Sequence, residues 1–446
     1  MTKLHSAKAS PAVTTKESLF SLRSSRRQFL AQVLTAAGGG VLLPNIVTSS
    51  ALGGSGRPAA SNRIVMGIIG AGGRGTQVLN NMMEYPEVQF VAVAEFMGER
   101  RQRAKAAMDM RYGNTDAKEY RHFHELLERP EIDAVLIATG DRWHSLASIT
   151  AARAGKDIYC EKPISMCIAE GRSLVETVKR HGRIFQAGTQ RRSVGNFMFA
   201  VRLARTGKLG KLTTLNCSTS GLEMRYDCLP AEPEPSKEVL DWDSWLGPVP
   251  WRPYNQAYTR SMTTWRDFAD LGGGGISDWG SHSIDLAQFA NDTDLSGPTE
   301  FERVGDTVEA AYPSGVKIVM RMNMGRGPGK GTCPIHFEGD AGWVYTDDSG
   351  NIEVSPESLR TERTVSKEAW SRPVGHVRNF LDCVKARRQP AANAEVAHRA
   401  ASVCHIANLA VKLGRKLRWD PVKEVFSGDE QANRLLTRAY REPWRI

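Results

Sequence analysis

Three ionisable side chains have the types and the spacing of a proton-transfer site. Asp278 and His282 are four residues apart in the run "SDWGSHSIDLAQFA", so on a helix they share a face, and Asp285 lies three residues further on. A carboxylate that orients an imidazole of near-neutral pKa makes a proton acceptor. Lys162, in the segment "EKP", can stabilise the oxyanion that forms when a hydroxyl loses its proton. Taken alone, however, such an Asp/His pair is equally typical of helix capping, and a lone lysine is usually solvated.

A glycine pattern near residue 70 predicts a nucleotide site. Gly70-x-Gly72-x-x-Gly75 follows the apolar run "RIVMGII" and opens an amphipathic segment. In that context the first glycine permits a tight turn, the second lets the backbone approach a pyrophosphate, and the third lets the helix pack on the strand. The pyrophosphate is then expected at the positive end of the helix, next to Gly73 and Arg74.

Glu95 bears on the identity of the nucleotide. It ends the next apolar run, 20 residues after Gly75, where a carboxylate can accept hydrogen bonds from both ribose hydroxyls. Because a carboxylate repels a 2′-phosphate, Glu95 favours NAD over NADP, although NADP stays open and a simple solvated acid is the alternative. Three further predicted cofactor contacts follow later strands: Thr139, His144 and Glu161.

The elements that must position these residues fall into two kinds. From Arg63 buried-type strands ("VQFVAVAE", "DAVLIATG", "DIYCEKP") alternate with amphipathic helices, which predicts a doubly wound parallel sheet over residues 61–190. Shorter strand candidates ("LTTLNCSTS", "GVKIVMRMNM") predict an α+β domain with a mostly antiparallel sheet over residues 191–420. Pro163 stiffens the turn that carries Lys162, and a cis peptide bond there would fix its direction. Residues 421–446 are predicted to form a tail that packs back on the body.

The first 60 residues have the composition of an export signal. They hold seven basic residues against Glu17, a net +6 of the formal +10, and the remaining +4 is mixed with acids, which disfavours nucleic-acid binding. The stretch "SRRQFL" resembles a twin-arginine consensus, so we expect recognition by the twin-arginine export machinery and a periplasmic or otherwise exported protein; a disordered basic tail is the alternative. No later run is long enough to span a bilayer.

Seven cysteines without paired spacing fit a protein that folds before export, with Cys160, Cys217 and Cys404 as buried thiols. The histidines outside the Asp278/His282 run show no ligand spacing, so no metal is predicted.

Taken together, the glycine pattern, the acid, "EKP" and "DWGSHSIDL" resemble the glucose–fructose oxidoreductase/inositol dehydrogenase/MocA (Gfo/Idh/MocA) family over nearly all of the chain from Arg63. The resemblance implies a Rossmann domain, a second domain with an open-faced sheet, and nicotinamide-dependent oxidation or reduction of sugars and polyols. Lys162, Asp278 and His282 match the family's catalytic lysine and its Asp-x-x-x-His pair. One departure loosens the loop before His144: members often have Thr-Pro where this chain has Thr139-Gly140. An open-faced sheet also predicts a homo-oligomer, because an apolar face is otherwise exposed.

Several residues are candidates for the substrate side. Gly272 to Gly275 would let the backbone come close to a substrate. Gln190 and Arg192 follow a strand end, and Trp265 belongs to a set of aromatic residues whose faces could stack on a sugar, although loop and core packing fits them equally well.

The resulting hypothesis is hydride transfer between a sugar or polyol hydroxyl and tightly bound NAD or NADP. Its first alternative is an NAD-dependent glycosidase or lyase that oxidises a sugar transiently. Its second, more distant alternative is a non-catalytic protein that binds nucleotide and sugar.

Overall fold

The computed structural model describes residues 58–322, 324, 331–361 and 374–446. The predicted export signal, including Arg26 and Arg27, lies outside the described residues.

The N-terminal part forms a six-stranded parallel sheet in the order β3-β2-β1-β4-β5-β6. The apolar runs explain it: every residue of β4 and β5 is buried, as strands covered on both faces require. This order, which reverses between β1 and β4, confirms the predicted doubly wound fold, and it places the ligand-binding crevice at the carboxyl ends of those strands. The strands are β1 (Ile64–Ile69), β2 (Val88–Ala94), β3 (Lys118–Tyr120), β4 (Ala134–Ile137), β5 (Asp157–Cys160) and β6 (Phe185–Ala187).

Five helices connect or follow these strands. The one after β1 carries its apolar residues at helical spacing, with Val78, Leu79, Met82 and Met83 buried against the sheet. The helices are α1 (Gly73–Met83), α2 (Gly98–Tyr112), α3 (Phe123–Leu127), α4 (Asp141–Arg153) and α5 (Ile168–Arg180).

The second sheet has nine strands in the order β13-β12-β11-β7-β10-β9-β8-β14-β15. Its pairs are antiparallel apart from β7 with β10, as predicted for a mostly antiparallel sheet. The strands are β7 (Leu212–Thr219), β8 (Glu300–Val304), β9 (Thr307–Ala311), β10 (Lys317–Met322), β11 (Ile335–Gly339), β12 (Gly342–Thr346), β13 (Ile352–Ser355), β14 (Leu417–Asp420) and β15 (Val425–Phe426).

Helices cover one face of this sheet, and their shared core includes Leu215, Ile284, Ile318, Phe337 and Ala407. The helices that pack in this core are α6 (Gly195–Arg205), α10 (Gly274–Ala290), α12 (Ala394–Leu413) and α13 (Glu430–Arg434). The other helices lie against the first domain: α7 (Trp242–Leu246), α8 (Ala257–Arg260) and α11 (Val374–Ala386) bury apolar side chains with residues of the first sheet, and α9 (Met262–Trp265) follows α8.

The cysteines match the expectation of free thiols. All seven lie in described residues and none forms a disulfide; Cys160, Cys217 and Cys404 are fully buried, and Cys228 is exposed. Burial raises the pKa of Cys160, Cys217 and Cys404 well above the ordinary cysteine value, so these three thiols are core side chains. Among the described helices, none combines the length and the apolar character needed to cross a bilayer.

Candidate active site and nucleotide cavity

The glycine-rich loop between β1 and α1 has the geometry that a dinucleotide needs. Gly70 has a φ of +88°, and a side chain there would meet the backbone of Ala138 and Thr139. A Cβ on Gly75 would lie 2.2 Å from the carbonyl oxygen of Gly70, so α1 can begin this close to the strand only with glycine. A Cβ on Gly73 would instead meet nothing within 4 Å. The loop therefore presents bare backbone at a helix N-terminus that no side chain caps, which fits a bound pyrophosphate.

A cavity of about 430 Å³ opens beside this loop. Its walls are the carboxyl ends of β1, β2 and β4, the loop after β3, and residues 259–262. Glu95 lies in the wall, where one carboxylate oxygen accepts from the Ala71 N–H (2.8 Å) and the other from the Met97 N–H (3.0 Å). The cavity thus has the size and the polar backbone of a nucleotide site, with the predicted ribose acceptor in it.

Lys162 follows β5 at the same edge of the sheet, on a loop whose Lys162–Pro163 peptide bond is cis. Its Nζ donates to Oδ1 of Asp278 (2.5 Å) and to the carbonyl oxygen of Asp278 (3.1 Å). The second carboxylate oxygen of Asp278 accepts from Nη1 of Arg266 (2.9 Å). Asp278 is buried, and burial opposes its charge, yet Lys162 and Arg266 hold its pKa below the usual value. The two domains therefore meet in a largely buried Lys–Asp–Arg chain.

His282 shares α10 with Asp278, as the spacing predicts, but the two side chains do not form the expected hydrogen bond. Both oxygens of Asp278 are taken by cations, and Nδ1 of His282 is a buried ring nitrogen without a partner among the described residues. Burial lowers the pKa of His282 well below its ordinary value, and the charges of Arg191 and Lys162 lower it further. The imidazole is consequently neutral at neutral pH. Asp278 orients Lys162 rather than His282.

Glu161 and Gln190 link the lysine to the glycine-rich loop. Oε1 of Glu161 accepts from Nε of Arg74 in the first turn of α1 (2.9 Å) and from the side-chain amide of Gln190 (2.8 Å). The same amide donates to the Tyr159 hydroxyl (3.0 Å). Gln190 is buried, and this network fixes the distance between the nucleotide loop and Lys162.

The two arginines after Gln190 are both buried. Arg192 donates to the carboxylates of Asp285 (2.6 Å) and Asp294 (2.6 Å), and Arg191 donates to Asp348 (2.6 Å). Because the guanidinium of Arg192 is already committed to two carboxylates, the structure gives it a supporting position rather than the substrate contact that the sequence predicts.

His144 is likewise held by backbone. Its Nδ1 lies 2.7 Å from the carbonyl oxygen of Pro163, and its Nε2 lies 3.2 Å from that of Thr139. His144 thus ties the loop after β4 to the loop carrying Lys162, and it acts on the cofactor site by positioning those loops.

The tryptophans among the candidate aromatic residues lie in the core, at the surface or in the cavity wall. Trp242 is 1% exposed and stacks on Trp245, whereas Trp251 is exposed. Trp265, predicted at the substrate, lines the nucleotide cavity together with Trp245.

Sequence reasoning missed two residues of the site. Arg266 donates a hydrogen bond to one of the two carboxylate oxygens of Asp278. The carboxylate of Asp141 accepts from the N–H of Gly273 (3.0 Å), and this bond joins α4 to the glycine run at the start of α10. Nothing in the local pattern marks either residue, because their partners lie on other elements. Among the described residues there is no group of three side chains that could hold a metal ion.

Comparisons with known proteins agree with this geometry. The model of the oxidoreductase family's NAD-binding Rossmann fold (GFO_IDH_MocA) matches residues 64–189, and that of the family's C-terminal alpha/beta domain matches residues 214–446. Myo-inositol 2-dehydrogenase of Thermotoga maritima is 30% identical over 146 residues, 33% of this chain and 42% of that protein. The scyllo-inositol 2-dehydrogenase (NAD(+)) of Bacillus subtilis is 40% identical over 88 residues, 20% of this chain and 26% of that protein. These matches span less than half of either relative.

Solved structures share the fold over a larger part of the chain. The aldose-aldose oxidoreductase of Caulobacter crescentus, complexed with glycerol, superposes with a TM-score of 0.57 at 18% identity, covering 80% of this chain and 99% of that one. The WlbA dehydrogenase of Bordetella pertussis, in complex with NADH and UDP-GlcNAcA, gives 0.57 at 16% identity, covering 80% and 99%.

Proposed function

We propose that this chain, which belongs to the Gfo/Idh/MocA oxidoreductase family, transfers hydride between a carbinol carbon of a neutral sugar or polyol and a tightly held NAD or NADP. The observation that carries the proposal is the position of Lys162. Its ammonium is held by Asp278 at the carboxyl edge of the Rossmann sheet, one residue from Glu161, which bonds Arg74 of the glycine-rich loop's helix.

The chain's own residues supply proton handling and orientation. A bound nicotinamide would supply the hydride acceptor. His282 has a neutral imidazole, so it is suited to take the hydroxyl proton of a substrate. Lys162 stabilises the oxyanion that forms at the same oxygen, and Asp278 keeps the ammonium in place between the two domains.

The charge balance supports a neutral substrate. The site formed by Lys162, Asp278 and His282 is called the cleft below. The arginines that neighbour it, Arg191, Arg192 and Arg266, are each paired with a carboxylate. An acidic substrate would need a cation that has no such partner, because a paired guanidinium offers little net attraction. Hydroxyl groups of a sugar or polyol need only hydrogen bonds.

The test is to purify the protein, denature it, and identify any released nucleotide by mass. The native preparation is then followed at 340 nm while sugars and polyols are added. Stoichiometric nucleotide that becomes reduced on addition of one substrate supports the proposal. Cleavage of a glycoside without net reduction would favour the transient-oxidation alternative, and bound nucleotide inert to every substrate would favour a binding protein.

We also propose that the protein is exported with its nucleotide inside. The support is "SRRQFL" at residues 25–30, together with seven free thiols that need no oxidative folding. The bound nucleotide would then be reduced by one substrate and reoxidised in place by a second. Replacing Arg26 and Arg27 by lysine should move the protein from the periplasmic to the cytoplasmic fraction; an unchanged distribution would contradict this route.

We further propose a homo-oligomer that pairs through the uncovered face of the nine-stranded sheet. That face carries the polar Asn216, His336 and Glu338 beside the ring of Trp343. It is therefore more polar than the apolar face expected from the fold. Sedimentation of the purified protein measures the state, and a monomer would refute the proposal.

A further inference from the structure

Arg142, the second residue of α4, is a buried cation without an anionic partner. It is 2% exposed, and no carboxylate of the described residues lies within ion-pair distance of its guanidinium. Its Nε and Nη2 both donate to the carbonyl oxygen of Trp245 (2.9 and 2.6 Å). Its Nη1 is buried and has no hydrogen-bond partner in the described part of the chain. Buried charges are normally paired, so this arrangement needs an explanation.

The guanidinium is also held in one orientation. It lies over the indole of Trp245, 3.8 Å from the ring centroid, in addition to the two hydrogen bonds to the same residue. Burial lowers the pKa of Arg142 to about 9, so the group still carries its charge at neutral pH. Holding an unpaired cation in a dry site is unfavourable unless an anion arrives to match it.

The position of Arg142 indicates which anion this is. Arg142 lines the same cavity as Gly70, Gly72 and Gly73. The loop that precedes it touches the glycine-rich loop, since a Cβ on Gly70 would lie 2.7 Å from the backbone nitrogen of Thr139. A rigid guanidinium and the N-terminus of α1 therefore border one space, a combination that suits phosphate oxygens.

We propose that Arg142 binds a phosphate group of the dinucleotide, donating from Nη1 to a phosphate oxygen. Gly140 makes this possible, because a Cβ at that position would lie 2.4 Å from Nη1. Family members often have Thr-Pro where this chain has Thr139-Gly140. Because Gly140 has no side chain, it leaves the space that the guanidinium of Arg142 occupies. This inference rests on the proposed nucleotide binding and adds the group that anchors the phosphates.

The experiment measures binding rather than turnover. Nucleotide is removed by mild unfolding and refolding or by dialysis, and the affinities for NAD, ADP and adenosine are measured by calorimetry with the full mature chain. The variants are Arg142→Gln and Arg142→Lys. The matched control is Arg153→Gln, which removes the same charge from the exposed end of the same helix.

We expect Arg142→Gln to weaken NAD and ADP binding by about 10- to 100-fold, the value of a charge-assisted hydrogen bond. Adenosine, which lacks phosphate, should bind within about 2-fold of wild type, and Arg142→Lys should fall between the two. Arg153→Gln should leave all three affinities unchanged. The side-chain amide introduced by Arg142→Gln can still donate to the carbonyl oxygen of Trp245, and a melting curve without ligand checks that the fold persists.

Each outcome separates the possible roles. Equal loss of adenosine and ADP affinity would mean that Arg142 only supports the cavity wall through Trp245, and it would overturn the inference. Unchanged ADP affinity in Arg142→Gln would overturn it as well. If the wild-type protein binds neither NAD nor ADP, the proposed nucleotide function itself fails, and that result is distinct from either of the others.

Discussion

The nucleotide cavity and the cleft at Lys162 differ in how their buried charged side chains are paired. In the cleft every cation discussed above has a carboxylate: Lys162 and Arg266 share Asp278, and Arg192 has Asp285. In the cavity Arg142 has only a carbonyl oxygen, and Glu95 is held by two backbone N–H groups. The difference follows from what each region is proposed to receive. A dinucleotide brings its own negative charge, whereas a sugar brings none.

Desolvation also acts differently on the titratable groups of the two regions. It lowers the pKa of His282 well below its ordinary value, so this imidazole is neutral near pH 7. The same effect lowers the pKa of Arg142 only to about 9, which leaves the guanidinium charged. One physical cause therefore leaves a neutral imidazole in the cleft and a charged guanidinium in the cavity.

The largest expected effect is that of Lys162→Ala, which should change the rate of hydride transfer without changing nucleotide affinity. Lys162→Ala should slow hydride transfer by about 10³-fold, because the developing oxyanion loses its cation and Asp278 keeps an unneutralised charge. Nucleotide affinity should remain within about 2-fold, since the cavity does not include Lys162. Single-turnover absorbance at 340 nm gives the rate, and calorimetry gives the affinity. Wild-type turnover in this variant would remove Lys162 from the mechanism.

The sequence predicts the cavity better than the cleft, and the reason is the range of the contacts. Gly70, Gly75 and Glu95 act through backbone geometry within one strand–helix–strand unit, so spacing along the chain is sufficient to find them. The parallel strands are equally visible, because burial on both faces leaves continuous apolar runs. The charged helix α2 (Gly98–Tyr112) lacks such a pattern: only Gly98, Ala104 and Met108 are buried in it.

The cleft depends on partners that are distant in sequence. Asp278 and His282 do share a helix face, as their spacing predicts, but spacing cannot tell which other residue will claim the carboxylate. Lys162 is 116 residues away from Asp278, and a charged donor there outcompetes the neutral imidazole. Arg192 was expected at the substrate on the same kind of local evidence, and Asp285 and Asp294 engage it instead.

The next prediction concerns the rigidity of the glycine-rich loop in the absence of nucleotide. Gly75→Ala should lower the free energy of unfolding by about 2–3 kcal/mol, because the added methyl group meets the backbone oxygen of Gly70, which cannot move aside. Gly73→Ala, in the same helix turn, is the matched control. It has open space around the new methyl, and alanine's higher helix propensity makes it neutral or stabilising by up to about 1 kcal/mol.

Urea unfolding of both nucleotide-free variants measures the difference. If Gly73→Ala is as destabilised as Gly75→Ala, the loop's need for glycine is one of backbone freedom rather than of close approach.

A smaller effect tests the neutral histidines that support the cleft. His405 lies on α12 with Nε2 3.0 Å from the hydroxyl of Ser165, a residue on the loop that carries Lys162, and burial lowers the pKa of His405 to about 4. Its unfolded pKa is near 6.5, so between about pH 6.5 and pH 4 the unfolded chain binds a proton that the folded protein does not. The stability that this histidine contributes is therefore complete above about pH 6.5 and declines as the pH falls, by about 2 kcal/mol between pH 7 and pH 5.

His405→Gln keeps a polar group near Ser165 and removes the titration. The variant should consequently lose about 2 kcal/mol less than wild type over that pH range. Chemical denaturation at pH 7, 6 and 5 measures both slopes. Parallel slopes would show that His405 is already solvated in the folded protein.

The smallest expected effect is that of a single added methyl group at Gly140, in the wall of the nucleotide cavity. In Gly140→Ala the new Cβ would lie 2.4 Å from Nη1 of Arg142, so the guanidinium must leave the orientation in which Trp245 holds it, whereas at Gly75 the opposing atom belongs to the backbone. The fold should therefore persist while Nη1 leaves its position, and NAD should bind about 3- to 10-fold more weakly, at most about 1.4 kcal/mol. Gly221→Ala, whose Cβ meets nothing within 4 Å, should leave NAD affinity unchanged. Combining Gly140→Ala with Arg142→Gln sharpens the argument: if the glycine serves only to make room for the guanidinium, the double variant should bind NAD no more weakly than Arg142→Gln alone. An additive loss would mean that the loop itself, and not the arginine, is what the methyl group disturbs.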